Sequence, residues 1–147
     1  MNARFAHTNV IAKDWRSLAA FYVRVFGCEI LAPERDYRSR ELDAGTALKD
    51  AHLTGAHLRL PGETKSTLEI YSYDALVDRP PTRIDRPGFG HIAFEVEDVR
   101  AALTEVKANG GGAVGEIVTL TTKTGAKVTW VYATDPEGNV VELQSWS

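Results

Sequence analysis

His7-Thr-Asn-Val-Ile-Ala-Lys-Asp14 and His91-Ile-Ala-Phe-Glu-Val-Glu-Asp98 are the two stretches that decide the fold of this chain. Each runs seven residues from a His to an Asp through a segment of strand-like composition. A helical pattern follows each Asp. Leu18, Phe21, Tyr22 and Val25 fall at i, i+3, i+4 and i+7, as do Val99, Ala102, Leu103 and Val106, giving one apolar stripe per helix. Asp14 and Asp98 stand where a carboxylate can accept from the free first-turn N–H groups. Gly27 and Gly110 follow the stripes, where a left-handed residue is expected to end a helix.

Working outward, both halves close on the same pattern. Leu68-Glu-Ile-Tyr-Ser-Tyr73 matches Val141-Glu-Leu-Gln-Ser-Trp146 as apolar, Glu, apolar, any, Ser, aromatic. Matched starts and matched ends mark an internal repeat. Between them, Gly115 to Leu120 and Val128 to Ala133 read as strands in the second half, with Asp135-Pro-Glu-Gly138 as a turn. Glu29 to Ala32 and His57 to Leu60 are the first-half equivalents, and the polar stretch from Pro33 to Gly55 reads as a mobile loop with a short helical piece. The expected fold class is α+β, a single domain over 1–147 built from two βαβββ modules. They cover about 4–73 and 89–147, with a linker at 74–88 marked by Pro80-Pro81 and Pro87-Gly88.

The 147 residues suffice for a real core. Net charge is −3 with signs interspersed, so no basic face invites nucleic acid. Nothing reaches transmembrane length, the first residues lack the pattern of a secretory signal, and Cys28 has no cysteine to pair with, so a cytoplasmic location is expected. Cys28 itself reads as a small buried hydrophobe.

Strand alternation places the chemistry. Ile92, Phe94 and Val96 suit the helix side, which puts His91 on the other face. Leu68, Ile70, Val141 and Leu143 likewise turn Glu69 and Glu142 away from the helices, beside Tyr71, Tyr73, Gln144 and Trp146. A carboxylate in an apolar strand pairs, protonates or binds a cation. His7, Glu69, His91 and Glu142 recur as two equivalent pairs, and a mixed N/O set suits one divalent ion among Zn, Ni, Fe, Mn and Co.

At these residues the chain resembles the vicinal oxygen chelate superfamily, which includes glyoxalase I, methylmalonyl-CoA epimerase, extradiol dioxygenases, and fosfomycin and bleomycin resistance proteins. The resemblance runs through His7 to Gly27, Gly90 to Asp98 and Asp135-Pro-Glu-Gly-Asn-Val-Val-Glu-Leu143. It implies two modules curled into a cupped, incompletely closed mixed β-sheet, helices outside, with a metal at the centre. His-Glu-His-Glu is similar to the bacterial glyoxalase I ligand pattern. The Arg and Asn that reach glutathione in that enzyme fall at Ile11 and Tyr73 here, which speaks against a glutathione adduct as substrate.

The resemblance implies a glyoxalase-like isomerase, epimerase or lyase that removes a proton α to a carbonyl in a small oxygen-chelating metabolite. Glu142 is the first choice of base and Glu69 the second. Tyr71, Tyr73, Gln144 and Trp146 would line the substrate pocket, or equally pack as a wall. Arg59, with Lys123 and Lys127, could hold an anionic tail. His52 and His57 read as surface or loop residues. The alternatives are an iron dioxygenase, a thiol transferase, or a drug-sequestering binding protein. A homodimer is expected, with neither nucleic acid nor membrane as partner.

Overall fold

In the computed structural model, residues 3–78, 80 and 82–147 are described; Pro81, one of the linker markers, lies outside them. The chain divides after Asp78 into two compact units. The fold is α+β, and each unit runs strand, helix, then strands, three of them in the first unit and four in the second.

In the first unit, β1 (His7–Ile11) leads to α1 (Trp15–Phe26), β2 (Glu29–Tyr37), a short α2 (Arg40–Thr46), β3 (Leu53–Arg59) and β4 (Thr67–Tyr73). The sheet order is β1-β4-β3-β2, with β1 parallel to β4 and the other pairs antiparallel. Helix α1 starts where Asp14 accepts from the Arg16 and Ser17 backbone N–H groups, and ends at Gly27 in the left-handed region. Its stripe is the core: Leu18, Phe21 and Tyr22 are fully buried against Ala56, Leu58, Leu68 and Ile70. Each such side chain contributes roughly 1.5–3 kcal/mol. Trp15 ties helix to sheet through its indole N–H, which donates to Thr54 Oγ1 at 3.1 Å, while Ser72 Oγ accepts from the Trp15 backbone N–H.

The sequence reading needs correction between Pro33 and Gly55. Strand β2 does not stop at Ala32; it bulges between Leu31 and Arg35 and continues to Tyr37, and β3 begins at Leu53. Pro33, which has no N–H to donate, sits in that irregularity. The short helix α2 is present, capped by Ser39 Oγ. Beside it His52 bridges two carboxylates, Nε2 to Asp36 at 2.7 Å and Nδ1 to Asp74 at 2.8 Å, and so clasps the ends of β2, β3 and β4.

The second unit runs β5 (Ile92–Glu95), α3 (Val99–Ala108), β6 (Gly112–Ala113), β7 (Val118–Thr121), β8 (Lys127–Thr134) and β9 (Val140–Trp146). Its order is β5-β9-β8-β6, with β7 also on β8 and β5 parallel to β9. Asp98 caps α3 as Asp14 caps α1. The α3 stripe buries Val99, Leu103 and Val106 with Val131, Val141 and Leu143. The helix ends at Ala108 with Asn109 as its cap, and Gly110 follows in the left-handed region at φ +90°, as its place after the stripe leads one to expect. The strand expected from Gly115 begins only at Val118, as β7, and a two-residue strand, β6, precedes that stretch. Asp135 is fully buried and closes the β8–β9 turn by accepting from the Glu137 and Asn139 backbone and from Asn139 Nδ2.

Candidate functional site

In each module the face away from the helix collects the polar side chains. Along β4 this face carries Glu69, Tyr71 and Tyr73, because Leu68 and Ile70 are fully buried on the other. The parallel register sets Asn9 beside Glu69, so His7 and Ile11 share the face. From the opposite side the antiparallel register brings His57 against Glu69 and Gly55 against Tyr71. His7 Nδ1 lies 3.3 Å from Glu69 Oε1, and His57 Nε2 lies 3.3 Å from the same oxygen. His57 Nε2 also makes a 2.6 Å hydrogen bond with the Tyr71 hydroxyl. Burial pulls the His57 pKa below its ordinary value and, together with the Glu69 carboxylate, pushes the Tyr71 phenol up to about 12, so Tyr71 keeps its proton at neutral pH.

The second module repeats this geometry with different chemistry. Glu142 sits between Ala93 and Tyr132, and Gln144 between Glu95 and Trp130. His91 Nε2 is 2.9 Å from Glu142 Oε2. The His91 and Tyr132 rings are 5.0 Å apart and those of Tyr132 and Trp130 4.9 Å apart, forming an aromatic run beside the carboxylate. Trp146, opposite Val128, is half exposed.

Both His–Glu pairs suit a divalent cation. Donors held at bond lengths of about 2.1 Å lie about 3 Å from one another, which is the spacing within each pair. Among the described residues, no group of three or more His, Cys, Asp or Glu side chains forms a ready-made metal cluster. His57 adds no third ligand to the first pair, since the Tyr71 hydroxyl occupies the approach to its Nε2.

Other predicted residues fall as follows. Arg59 is tied to Glu29 at 2.8 Å at the sheet margin. Lys123 and Lys127 are exposed. Cys28 is buried, and desolvation raises its thiol to about 11, as suits a packing residue. His52 is the loop residue expected, but His57 is not: it is mid-strand and faces the site. Sequence reasoning also passed over Tyr132 and Trp130. The signal that finds all three is the register opposite each closing strand, and the hairpins obscure it. His57 precedes Glu69 by 69 − 57 = 12 residues, whereas Tyr132 precedes Glu142 by 142 − 132 = 10.

Comparison with known proteins follows the same lines. A family model described as the Glyoxalase/Bleomycin resistance protein/Dioxygenase superfamily matches residues 4–143. No curated protein matches. A glyoxalase family protein from Bacillus cereus is 15% identical, with 99% of this chain and 95% of that one covered and a TM-score of 0.85. Glyoxalase I from Zea mays, solved as a mutant, is 23% identical over 96% of this chain and 44% of that one, with a TM-score of 0.63. A fosfomycin resistance protein from Listeria monocytogenes, solved with Mn(II) and sulfate, is 19% identical over 99% and 93%, with a TM-score of 0.58. Those likenesses speak to the fold, and with the family match across nearly the whole length they lead to one conclusion: the chain belongs to the glyoxalase/bleomycin resistance protein/dioxygenase superfamily.

Proposed function

We propose that this protein is a divalent-metal-dependent enzyme of glyoxalase-like type, an isomerase, epimerase or lyase. It would move a proton α to a carbonyl in a small metabolite with adjacent oxygens. The observation that carries this reading is the paired geometry: the glutamate of each last strand meets a histidine, His7, at the start of β1, at 3.3 Å and His91, just before β5, at 2.9 Å. His7, Glu69, His91 and Glu142 are the proposed ligands.

A bound divalent cation would supply a Lewis acid that polarises a substrate carbonyl and stabilises charge on its oxygen. Glu142 is the proposed base that takes the α-proton, and Glu69 the second carboxylate. Both are largely shielded, with 16% and 13% of the side chain exposed, so each works where water competes little. Tyr71, Tyr73, Gln144 and Trp146 share faces with these glutamates and would contact substrate. The position beside Tyr71 on β1 is Ile11, which offers no charge to a glutathione carboxylate, and this supports a smaller or less charged substrate. A homodimer is the proposed assembly. No described helix is long and apolar enough to cross a membrane.

The test is elemental analysis of protein purified without chelator or affinity tag, beside a Glu69→Ala/Glu142→Ala double variant. About one divalent metal per chain, lost in the variant, is the expected result. A native protein that holds no metal and takes up none of Zn²⁺, Ni²⁺, Co²⁺, Mn²⁺ or Fe²⁺ would sink the reading.

A further inference from the structure

Glu69 and Glu142 hold equivalent places in the repeat, yet their surroundings differ. Glu142 is met by His91. Glu69 Oε1 is caught between two imidazoles, His7 from β1 on one side and His57 from β3 on the other, each at 3.3 Å. The Tyr71 hydroxyl holds the His57 ring at 2.6 Å. Tyr71 in turn lies across Gly55, where a Cβ would stand 2.2 Å from its ring. At the matching register the second module has Tyr132 in place of His57 and Trp130 in place of Gly55, so it cannot repeat the arrangement.

We infer that His57 is a positioning residue for Glu69: seated by Tyr71 over Gly55, it fixes the carboxylate toward His7. Glu69 is thereby the more firmly held carboxylate; among the described residues Glu142 meets one imidazole, that of His91. The chemistry of the contact supports positioning over ligation. The Nε2 that faces the carboxylate is already engaged by the Tyr71 hydroxyl at 2.6 Å, so its approach is not open to a cation. Groups of this kind, one step behind a ligand, set its orientation and are costly to remove. The inference rests on the metal reading above.

The experiment loads purified protein with Co²⁺. It reads affinity by competition with a chromophoric chelator and coordination by the visible d–d bands, with metal-free unfolding followed alongside. His57→Ala is expected to bind Co²⁺ about 10–100-fold more weakly, with altered bands. His57→Gln, whose amide can reach both Glu69 and the Tyr71 hydroxyl, is expected to restore most of the affinity and the wild-type bands. A folded His57→Ala variant with wild-type affinity and bands would overturn the inference. So would a His57→Gln variant as weak as His57→Ala, because the imidazole itself would then be needed. If His57→Ala does not fold, Tyr71→Phe decides: weaker binding with altered bands supports the inference, and no change overturns it. Wild-type protein that takes up no Co²⁺ overturns the metal reading, and this inference with it. Normal wild-type uptake with an indifferent His57→Ala overturns this inference alone.

Discussion

At the scale of single residues, the two glutamates are alike in register and unlike in company. Removing the charge from Glu142 keeps its shape and deletes the proposed base. The Glu142→Gln variant is therefore expected to lose deuterium exchange at the substrate α-carbon, by 10²-fold or more, in NMR of candidate α-hydroxy or 2-oxo metabolites in D₂O. Full exchange in that variant would reassign the base. Gly55 makes a second prediction that needs no substrate. A Cβ there would sit 2.2 Å from both the Ile70 carbonyl oxygen and the Tyr71 ring. One of those partners is backbone and cannot rotate away. Gly55→Ala should destabilise the protein by at least about 1–3 kcal/mol in denaturant unfolding, and it should displace Tyr71 from His57.

At the scale of elements, the clasp at His52 ties stability to pH. Its hydrogen bonds with Asp74 and then Asp36 raise its pKa above the ordinary imidazole value. A raised folded-state pKa means the folded protein binds the proton more tightly than the unfolded chain. The stabilisation is thus full below about pH 6.5 and is lost as pH rises through the higher folded value. Wild-type Tm should fall over that interval relative to a His52→Gln variant, whose Tm should change less. Parallel Tm curves for the two proteins would show that the clasp contributes nothing.

The elements also show where the sequence was readable. Both helices, their Asp caps and the closing strands were legible because each buries a periodic apolar stripe, as Leu18, Phe21 and Tyr22 do. The far end of β2 was not, because Glu34 to Tyr37 lie on an edge strand with little burial, and no alternation marks them. The His–Glu pairs were legible through the repeat. His57 was hidden because the strand was read as starting at it, whereas Gly55 and Ala56, small residues with little strand preference, continue β3 back to Leu53 and put His57 mid-strand.

At the scale of the whole molecule, metal binding should be visible as stability. A ligand that binds only the folded state adds about 2.7 kcal/mol at a hundredfold excess over Kd. For a chain of this size that is roughly 5–10 °C in Tm. Chelation of native protein should lower Tm by that order and added Co²⁺ or Zn²⁺ should restore it, with the Glu69→Ala/Glu142→Ala variant indifferent to both. Equal responses in the two proteins would place the metal elsewhere.

The parallel pairing of first strand with last carries a consequence for how each module comes together. The β3–β4 hairpin joins neighbours in the chain, but Asn9 reaches Glu69 across 60 residues. Loop-closure entropy must be met before such a contact returns anything, so β1 is expected to dock after the β3–β4 hairpin. His7 rides on that late strand. In a complete chain that refolds, Glu69 and His57 are therefore expected to meet first, as an unfinished half-site, with the His7–Glu69 pair formed only when the module closes.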